Sequence, residues 1–467
     1  TQNHAAAQYN LGCIYFNDKY IMHDINQSIY YFKSAANQHL MYSFHNLGFI
    51  YENIFHDINK AIYYYTISAN NNISYSQFNL GCIYINGKYV LRDIKKAFFY
   101  FTLASNNNYP YAQYALGFFY KYGKYVEKNL FKAIQYLTLA ANQNNIDAQF
   151  ELAITYSELN SVHYNINKAI YYFTLAAEQN DPVSLYNLGV IYENILNDID
   201  KALHYYTLSS LQNYSESQFL LGMFYHFGKY VKQDIKKSIH YFTLAANQNN
   251  SKAHFFLGYI YNEGKYVKQD ITMAIKHYTI ASNENNDNAQ CNLGLLYLDA
   301  NNGTQDIEKA LYYLTLAAKR NNAIAQNTLG YIYYDKIHVP LDINKSIYYF
   351  ELSANQNFAD SQNTLGIIYY EGKYVKQDIN KSIMYFTHAS ENNNVLSQYN
   401  LGVIFMKGQH VKQDIKKAIF YFSLASNRNS PDAQYALGII YFEGKYVKKD
   451  INKAIQYLTK SSNQGNP

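Results

Sequence analysis

Aspartates recur along this chain at a nearly constant spacing, and such a row of carboxylates is a candidate for catalysis or calcium binding. Eleven aspartates occupy one position of a repeated segment, and asparagine occupies it twice. In chain order the residues are Asp24, Asp57, Asp93, Asn129, Asn165, Asp198, Asp234, Asp270, Asp306, Asp342, Asp378, Asp414 and Asp450. No second carboxylate keeps a fixed distance from them, and no EF-hand loop surrounds them. Since Asp and Asn are good N-cap residues, we predict that each one begins a helix.

The other residue types that serve in catalysis or metal binding also lack the spacing that those roles require. The sequence has no glycine-rich phosphate loop, no His-Glu-x-x-His motif and no Ser-x-x-Lys motif. The fourteen histidines stand mostly at unrelated positions, and none is spaced as a metal ligand from another histidine or a cysteine. Cys13, Cys82 and Cys291 belong to non-adjacent repeats, too far apart for a disulfide. We therefore expect no enzyme, metal or cofactor, and reduced cysteines that fill apolar positions.

The charge of the chain is weak for its length, because a formal net charge of +5 is spread over 467 residues. Lysines that recur in the loops could form a ridge that binds RNA. They are Lys88, Lys124, Lys229, Lys265, Lys373 and Lys445, with Lys232, Lys268, Lys376 and Lys448. Acids such as Glu263, Glu371 and Glu443 lie close to these lysines in sequence. We therefore favour a solvated edge and expect no nucleic-acid partner.

Membrane and targeting signals are not visible in this sequence. No stretch approaches the 18 consecutive apolar residues of a membrane span, and no signal peptide is seen. The chain begins with Thr1 rather than methionine, so we expect it to be an excerpt of a longer protein. A cytoplasmic location is the simplest expectation, and the lumen of the endoplasmic reticulum is the alternative if a signal peptide precedes Thr1.

A Leu-Gly dipeptide marks the repeat that positions all of these residues, with Ala153 once in place of the glycine. The glycines are Gly12, Gly48, Gly81, Gly117, Gly189, Gly222, Gly258, Gly294, Gly330, Gly366, Gly402 and Gly438. Ten of the twelve intervals are 36 residues and two are 33. This period predicts one array of thirteen modules over residues 1–467, in which each module contacts only its neighbours. Such an array offers a long surface where an enzyme would offer one pocket.

The first half of each module is predicted to be an amphipathic helix. In the last repeat, Ala433, Leu437, Gly438, Ile440 and Tyr441 share one face of that helix. The glycine allows a partner helix to approach closely. The residue three after the glycine is tyrosine in twelve repeats and phenylalanine in one, so we predict a core ring there.

The second helix is predicted to start at the capping Asp or Asn and to cross the first helix four residues later, where the chain always has Ala or Ser. It should end at the residue 27 after the glycine, or 24 in the two short repeats. That residue is asparagine in eleven repeats, His39 in the first and Gly465 in the last. These residue types tolerate the left-handed conformation of a helix C-cap.

Together these landmarks resemble the Sel1-like repeat, a relative of the tetratricopeptide repeat. The pattern Ala-Gln-Tyr-x-Leu-Gly-x-x-Tyr, Gly-Lys-Tyr-Val, Asp-Ile-x-Lys-Ala and Tyr-Phe-x-Leu-Ala-Ala-Asn-Gln is closely followed from Ser217 to Gln248, and the resemblance covers essentially the whole chain. The family usually has a second loop glycine where this chain has Tyr89, Tyr125, Tyr230, Tyr266, Tyr374 and Tyr446. The paired cysteines of some bacterial secreted members are missing. The resemblance implies an all-α, right-handed superhelical α-solenoid of about thirteen two-helix repeats, or about 26 helices.

The face of the first helix turned away from the core is the candidate for binding. Three residues before the glycine, aromatic residues occupy repeats 3 to 8 and repeats 12 and 13, interrupted by Cys291, Asn327 and Asn363. The candidate strip consists of Phe78, Tyr114, Phe150, Tyr186, Phe219, Phe255, Tyr399 and Tyr435. These rings could form a partner groove, or they could pack neighbouring repeats, and the sequence leaves both open.

The function implied by the resemblance is a protein-interaction scaffold that binds a peptide or protein on its concave surface. One alternative is a subunit resembling the Sel1-like adaptors of membrane-bound ubiquitin ligases in endoplasmic-reticulum-associated degradation. Another is a regulatory arm of a catalytic domain, such as a kinase, outside the excerpt. The oligomeric state and the identity of the partner are not encoded in the repeats.

Overall fold

The computed structural model of the chain describes residues 4–17, 24–159, 161–301 and 303–464. Within them lie 26 α-helices and no β-strand, two helices for each repeat. The first helices are α1 Ala5–Phe16, α3 Met41–Asn53, α5 Ser74–Asn86, α7 Pro110–Tyr122, α9 Ile146–Ser157, α11 Pro182–Asn194, α13 Ser215–Phe227, α15 Ser251–Glu263, α17 Asp287–Leu298, α19 Ala323–Asp335, α21 Ala359–Glu371, α23 Val395–Lys407 and α25 Pro431–Glu443. The second helices are α2 Ile25–Ala36, α4 Ile58–Asn70, α6 Ile94–Asn106, α8 Leu130–Ala141, α10 Ile166–Glu178, α12 Ile199–Leu211, α14 Ile235–Ala246, α16 Ile271–Asn283, α18 Ile307–Lys319, α20 Ile343–Ala354, α22 Ile379–Glu391, α24 Ile415–Asn427 and α26 Ile451–Ser462.

The helices form two compact units, Thr1–Leu221 and Gly222–Pro467. Within each unit a second helix packs on the first helix of its own repeat and on that of the next, as α8 does with α7 and α9, and α18 with α17 and α19. The predicted all-α solenoid with two helices in each repeat is confirmed, whereas its right-handed sense stays a prediction. None of the helices in the described ranges is long and apolar enough to cross a membrane.

The thirteen Asp and Asn residues are the N-caps of the thirteen second helices, as predicted. Each side chain accepts a hydrogen bond from a backbone NH of the first turn, as Asp342 does from Lys345 at 3.0 Å. A cap of this kind contributes about 1 kcal/mol to helix stability. Their oxygens therefore serve the fold.

The predicted left-handed conformation after the second helices is also confirmed, although the helices themselves end two or three residues before that position. His39 and the eleven asparagines at this position have φ between 59° and 67°. In repeat 9 the amide of Asn321 donates to the carbonyl of Ala318, and that of Asn322 donates to Ala317, so the turn satisfies the last carbonyls of α18. Gly465, predicted to do the same in the last repeat, lies outside the described residues.

The repeat glycine lies directly beneath a large apolar side chain of the second helix. A Cβ atom added to Gly330 would stand 2.6 Å from the ring of Phe350, which is buried. All twelve glycines show such an approach, at 2.5–2.7 Å, to a Phe, Tyr or Leu of the second helix. Where the second helix carries serine at the crossing, its hydroxyl donates to the glycine carbonyl, as Ser346 does at 2.9 Å. The glycine is therefore required by a close helix crossing.

The ring three residues after the glycine was predicted to be core, and this is wrong for most repeats. Only Tyr156 and Tyr369 are buried, and the others are half-buried. In all thirteen repeats this ring stacks on a ring of the second helix, with centroids 5.4–6.0 Å apart and planes within 16° of parallel. In eleven repeats a lysine of the second helix lies over the same ring, 4.8–5.3 Å from its centroid. Because a lysine ammonium must stay hydrated, the ring remains at the edge of the core.

A buried glutamine four residues before the glycine links consecutive repeats. The Nε2 atom of Gln326 donates to the carbonyl of Ala318 in the preceding repeat at 3.0 Å, while its Oε1 accepts from Gln356 at 2.7 Å. Nine repeats make the first of these bonds. Because a buried amide must be paired, this bond fixes how successive repeats join.

Six tyrosines stand at the loop position where a second glycine was expected, and only two of them have a left-handed backbone. Tyr125 and Tyr230 keep the left-handed conformation, with φ of 71° and 67°. Their rings pack edge-on against Phe119 and Phe224, which stand two residues after the repeat position in those modules. Ring packing therefore holds a conformation that glycine would adopt more easily.

Candidate interaction surface

The eight residues of the candidate strip occupy equivalent places on first helices. Phe78, Tyr114, Phe150, Tyr186 and Phe219 lie in the first compact unit on five consecutive first helices. The second unit holds Phe255, Tyr399 and Tyr435, with Cys291, Asn327 and Asn363 between the first two. Seven of the eight are half-buried, and Tyr435 is 47% exposed. The longest part of the strip that lies within one compact unit is therefore in repeats 3 to 7.

The inner edge of these rings packs against the core of the same repeat. Ring centroids of the strip and of the second helix lie 5.6–5.9 Å apart in the pairs Phe78–Phe101, Phe150–Phe173, Tyr186–Tyr206, Phe255–Tyr278 and Tyr399–Phe422. These contacts lie within one repeat, so each of these rings packs on the second helix of its own repeat while only part of its surface stays exposed.

A ridge of exposed tyrosines extends this strip toward the start of the chain and was missed in the sequence. Tyr42, Tyr75 and Tyr111 stand six residues before the repeat glycine and are 49–52% exposed. Tyr109 connects Tyr75 to the strip, with its ring centroid 5.1 Å from that of Tyr75 and 5.3 Å from that of Phe78. Burial and the neighbouring Tyr111 and Tyr75 raise the pKa of Tyr109 to about 12. The signal was available, because residues three apart on a helix share one face.

The charged side chains on the first helices of repeats 5, 6 and 7 are all acidic. Helices α9, α11 and α13 contain neither lysine nor arginine. Their carboxylates, with the N-cap of α11, are Asp147, Glu151, Asp181, Glu193 and Glu216. Lysines of repeats 5 and 6 lie instead on the second helices, where Lys168 and Lys201 cover the rings of Tyr156 and Tyr192. The first-helix surface of repeats 5 to 7 is therefore negative.

One carboxylate of this group is neutralised internally. The Nζ atom of Lys121, which is buried, lies 2.5 Å from Oε2 of Glu151 and donates to the Glu151 carbonyl at 3.1 Å. The hydroxyl of Tyr122 donates to the same carboxylate at 2.9 Å. This pair ties α7 to α9, so it serves the fold and leaves Asp147 and Asp181 as the surface charges of that region.

The acidic groups act on the strip rings that lie among them. Burial, followed by Asp147 and Glu151, raises the pKa of Tyr114 to about 12. Burial and then Glu216 and Glu193 raise the pKa of Tyr186. The rings of repeats 4 to 6 are thus accessible aromatic groups in a negative field.

A small cavity opens beside the strip between the starts of α9 and α11. Its volume is about 300 Å³, and Ile146, Asp147, Phe150, Asp181 and Val183 line it. Burial raises the pKa of Asp147, and the charges of Asp181 and Glu151 raise it further. The cavity therefore joins an apolar wall, which includes a strip ring, to two carboxylates.

A second aromatic surface lies on the outward face of the second helices and was also missed. Seven rings there are 56–62% exposed, namely Tyr30, Tyr63, Phe99, Tyr171, Tyr312, Tyr348 and Phe420. Five residues interrupt the row at the equivalent position, namely Gln135, His204, His240, Lys276 and Met384. Successive helix residues point in directions about 100° apart, so Tyr30 faces outward while Phe32, two residues later, is buried.

Two histidines in repeat 8 stand at positions where the other repeats mostly carry one residue type. His254 stands where most repeats have glutamine, and His277 where the other twelve have tyrosine. Their Nδ1 atoms lie 3.0 Å apart. Burial lowers the pKa of both, and in His277 the neighbouring His254 and Lys276 add to this and bring it to about 4.

Acidification is expected to destabilise the fold through this pair. An unfolded histidine has a pKa of about 6.5, so the unfolded chain binds more protons than the folded one once the pH falls below that value. The stabilisation that comes from keeping both histidines neutral is complete above about pH 6.5 and is lost as the pH falls toward about 4. The double change His254→Gln and His277→Tyr restores the residues of the other repeats, and it should reduce the fall in unfolding free energy between about pH 7.5 and about pH 5. Denaturant melts at both pH values measure this, and equal falls in the two proteins would contradict it.

Metal chemistry gains no support from the geometry. Across residues 4–17, 24–159, 161–301 and 303–464, no three side chains of His, Cys, Asp or Glu converge as metal ligands would. Cys82 and Cys291, whose thiol pKa values burial raises to about 12, are not activated nucleophiles.

The repeats of this chain match repeats of known proteins along almost its whole length. The family model described as Sel1 repeat matches thirteen times, at residues 5–40, 45–73, 74–109, 110–145, 146–181, 182–214, 215–250, 251–286, 287–322, 323–358, 359–394, 395–430 and 431–466. No curated protein matches the chain by sequence.

Among solved structures, one similar protein is c5321, described as a protective antigen of uropathogenic Escherichia coli strains with an SLR fold. It is 24% identical, with a TM-score of 0.69 over 99% of this chain and 94% of that one. A Sel1 repeat protein from Oxalobacter formigenes is 28% identical, with a TM-score of 0.53 over 64% of this chain and 87% of the other.

Proposed function

Because the chain belongs to the Sel1 repeat family, we propose that it is a protein-interaction scaffold that binds a peptide or protein through the first-helix strip. The observation that carries this proposal is the run of half-buried rings on five consecutive first helices, Phe78 to Phe219. Partly exposed aromatic rings held rigidly by a core are the groups from which binding hot spots are built. Helical repeats supply the rigid support.

Two narrower roles are hypotheses that rest on the family resemblance. One is an adaptor of endoplasmic-reticulum-associated degradation, and the other is a regulatory arm of a catalytic domain. The full-length sequence distinguishes them, since a signal peptide with a membrane anchor would support the first and an adjoining kinase would support the second. A cytoplasmic location likewise remains a hypothesis.

The strip is tested by replacing Tyr114 and Tyr186 together with serine. We expect the variant to lose binding of peptides that the wild-type protein enriches from a displayed random library, while its helicity and melting temperature stay nearly unchanged. The reason is that the outer parts of these rings are accessible. Circular dichroism melts and peptide binding are measured on the same samples.

The matched control changes Tyr30 and Tyr171, whose exposed rings lie on the second helices of the same compact unit, to serine. This control should keep both stability and peptide binding. If the strip variant is instead destabilised by several kcal/mol, as expected for cavities in a core, the rings serve packing and the strip hypothesis fails. Loss of binding in the control alone would assign binding to the second helices.

A further inference from the structure

The charge of the first-helix strip in repeats 5 to 7 limits which partner it can accept. Asp147, Asp181 and Glu216 lie at the beginnings of three consecutive first helices, and those helices carry no lysine or arginine. Lys121, from the preceding repeat, is already paired with Glu151. An acidic segment of a partner would be repelled here, whereas a cationic one would be attracted.

The cavity between α9 and α11 adds a shape that suits one kind of side chain. Phe150, Ile146 and Val183 provide an apolar wall, and Asp147 and Asp181 provide the carboxylates. Asp181 is fixed in place, because its Oδ2 atom accepts from the backbone amide of Ser184 at 2.8 Å and from the Ser184 hydroxyl. A long side chain with an aliphatic stem and a cationic end satisfies both parts of the cavity.

We propose that this cavity receives an arginine or lysine side chain from an extended segment of the protein partner. The stem lies against Phe150 and Val183, and the cation lies between Asp147 and Asp181. The neighbouring strip rings Tyr114 and Tyr186 contact flanking residues of the segment. This inference rests on the proposed scaffold function and names the chemistry of the partner.

The test uses the double change Asp147→Asn and Asp181→Asn in the full chain. Asparagine caps a helix about as well as aspartate, so α11 keeps its start while two charges are removed. The probes are a fluorescein-labelled glycine-serine peptide that contains arginines and the same peptide with citrulline in their place. We expect the wild-type protein to bind the arginine peptide at least about tenfold more tightly than the citrulline peptide, and the variant to lose this preference.

The control variant Asp287→Asn and Asp360→Asn removes the same two charges from the starts of α17 and α21, where the strip position is Cys291 or Asn363. It should bind like the wild-type protein. Equal weakening in both variants would show general charge attraction and overturn the proposal, as would equal binding of the two peptides by the wild-type protein. Selection from the random peptide library distinguishes the scaffold function from the proposal of a cationic occupant. Enrichment of peptides without basic residues would refute the cationic pocket while leaving the scaffold function in place.

Discussion

Replacement of Gly330 by leucine is expected to lower the free energy of unfolding by about 3 kcal/mol, the upper end of the usual cost of overpacking. The added side chain would begin with a Cβ atom 2.6 Å from the ring of Phe350, which has no room to move because it is fully buried. Alanine at the same position should give an intermediate loss. Denaturant melts followed by circular dichroism measure both changes.

A matched control adds the same side chain to an exposed site of the same repeat. Asn344 lies on the second helix and is exposed, so Asn344→Leu should change stability by less than about 0.5 kcal/mol. The repeat that naturally carries Ala153 shows that a methyl group fits beneath Phe173 in one module of the array. Equal losses in Gly330→Leu and Asn344→Leu would contradict the assignment of a close crossing.

Removal of one whole period, Gly258–Leu293, should leave a folded and soluble protein. The cut joins Leu257 to Gly294 and so rebuilds the Leu-Gly dipeptide inside a first helix. The bond between Gln326 and Ala318 lies after the cut and stays in place, so the following repeat can attach as before. Because stability in such arrays sums over neighbouring interfaces, the product should lose helical signal in proportion to one repeat.

Removal of only the first half of this stretch, Gly258–Ile275, should have a much larger effect. It joins Leu257 to Lys276 and fuses a first helix to the middle of a second one, so neither the glycine crossing nor the N-cap at Asp270 is kept. At least the adjoining repeats should unfold. Circular dichroism and limited proteolysis of both deletions provide the measurement, and equal damage would be incompatible with a modular array.

Local chemistry explains why the boundaries of the second helices could be predicted from sequence. The side chain of Asp342 caps the start of a helix, and the left-handed backbone of Asn321 follows the end of one. Both arrangements depend only on residues a few positions away in sequence. The periodic glycine was equally informative, since few residues other than glycine allow such a close crossing. The caps recur thirteen times, and the glycine and the left-handed residue recur twelve times each in the described part of the chain, which makes chance agreement untenable.

Surface assignments were harder because they depend on contacts between elements. The ring of Tyr333 looked like core on a helical wheel, but Lys345 of the next helix covers it and keeps it near water. The exposed ring of Tyr348 was not singled out from sequence, because the pattern alone does not show which ring of a second helix faces outward. The strip position was found from sequence, whereas its packing against second-helix rings such as Phe173 appears only in three dimensions.

Tyrosine emission is the intrinsic fluorescence of this chain, because it contains 55 tyrosines and no tryptophan. Stacked rings 5.4–6.0 Å apart in every repeat are close enough to pass excitation from one helix to the other. Phe405 stacks on Tyr421 in repeat 12, with Lys417 over its other face. A tryptophan at position 405 would therefore act as a single acceptor beside a known donor. Loss of its tyrosine-sensitised emission would report loss of packing around that repeat, where Tyr421 is the stacked donor, and this gives a local optical probe in an otherwise repetitive protein.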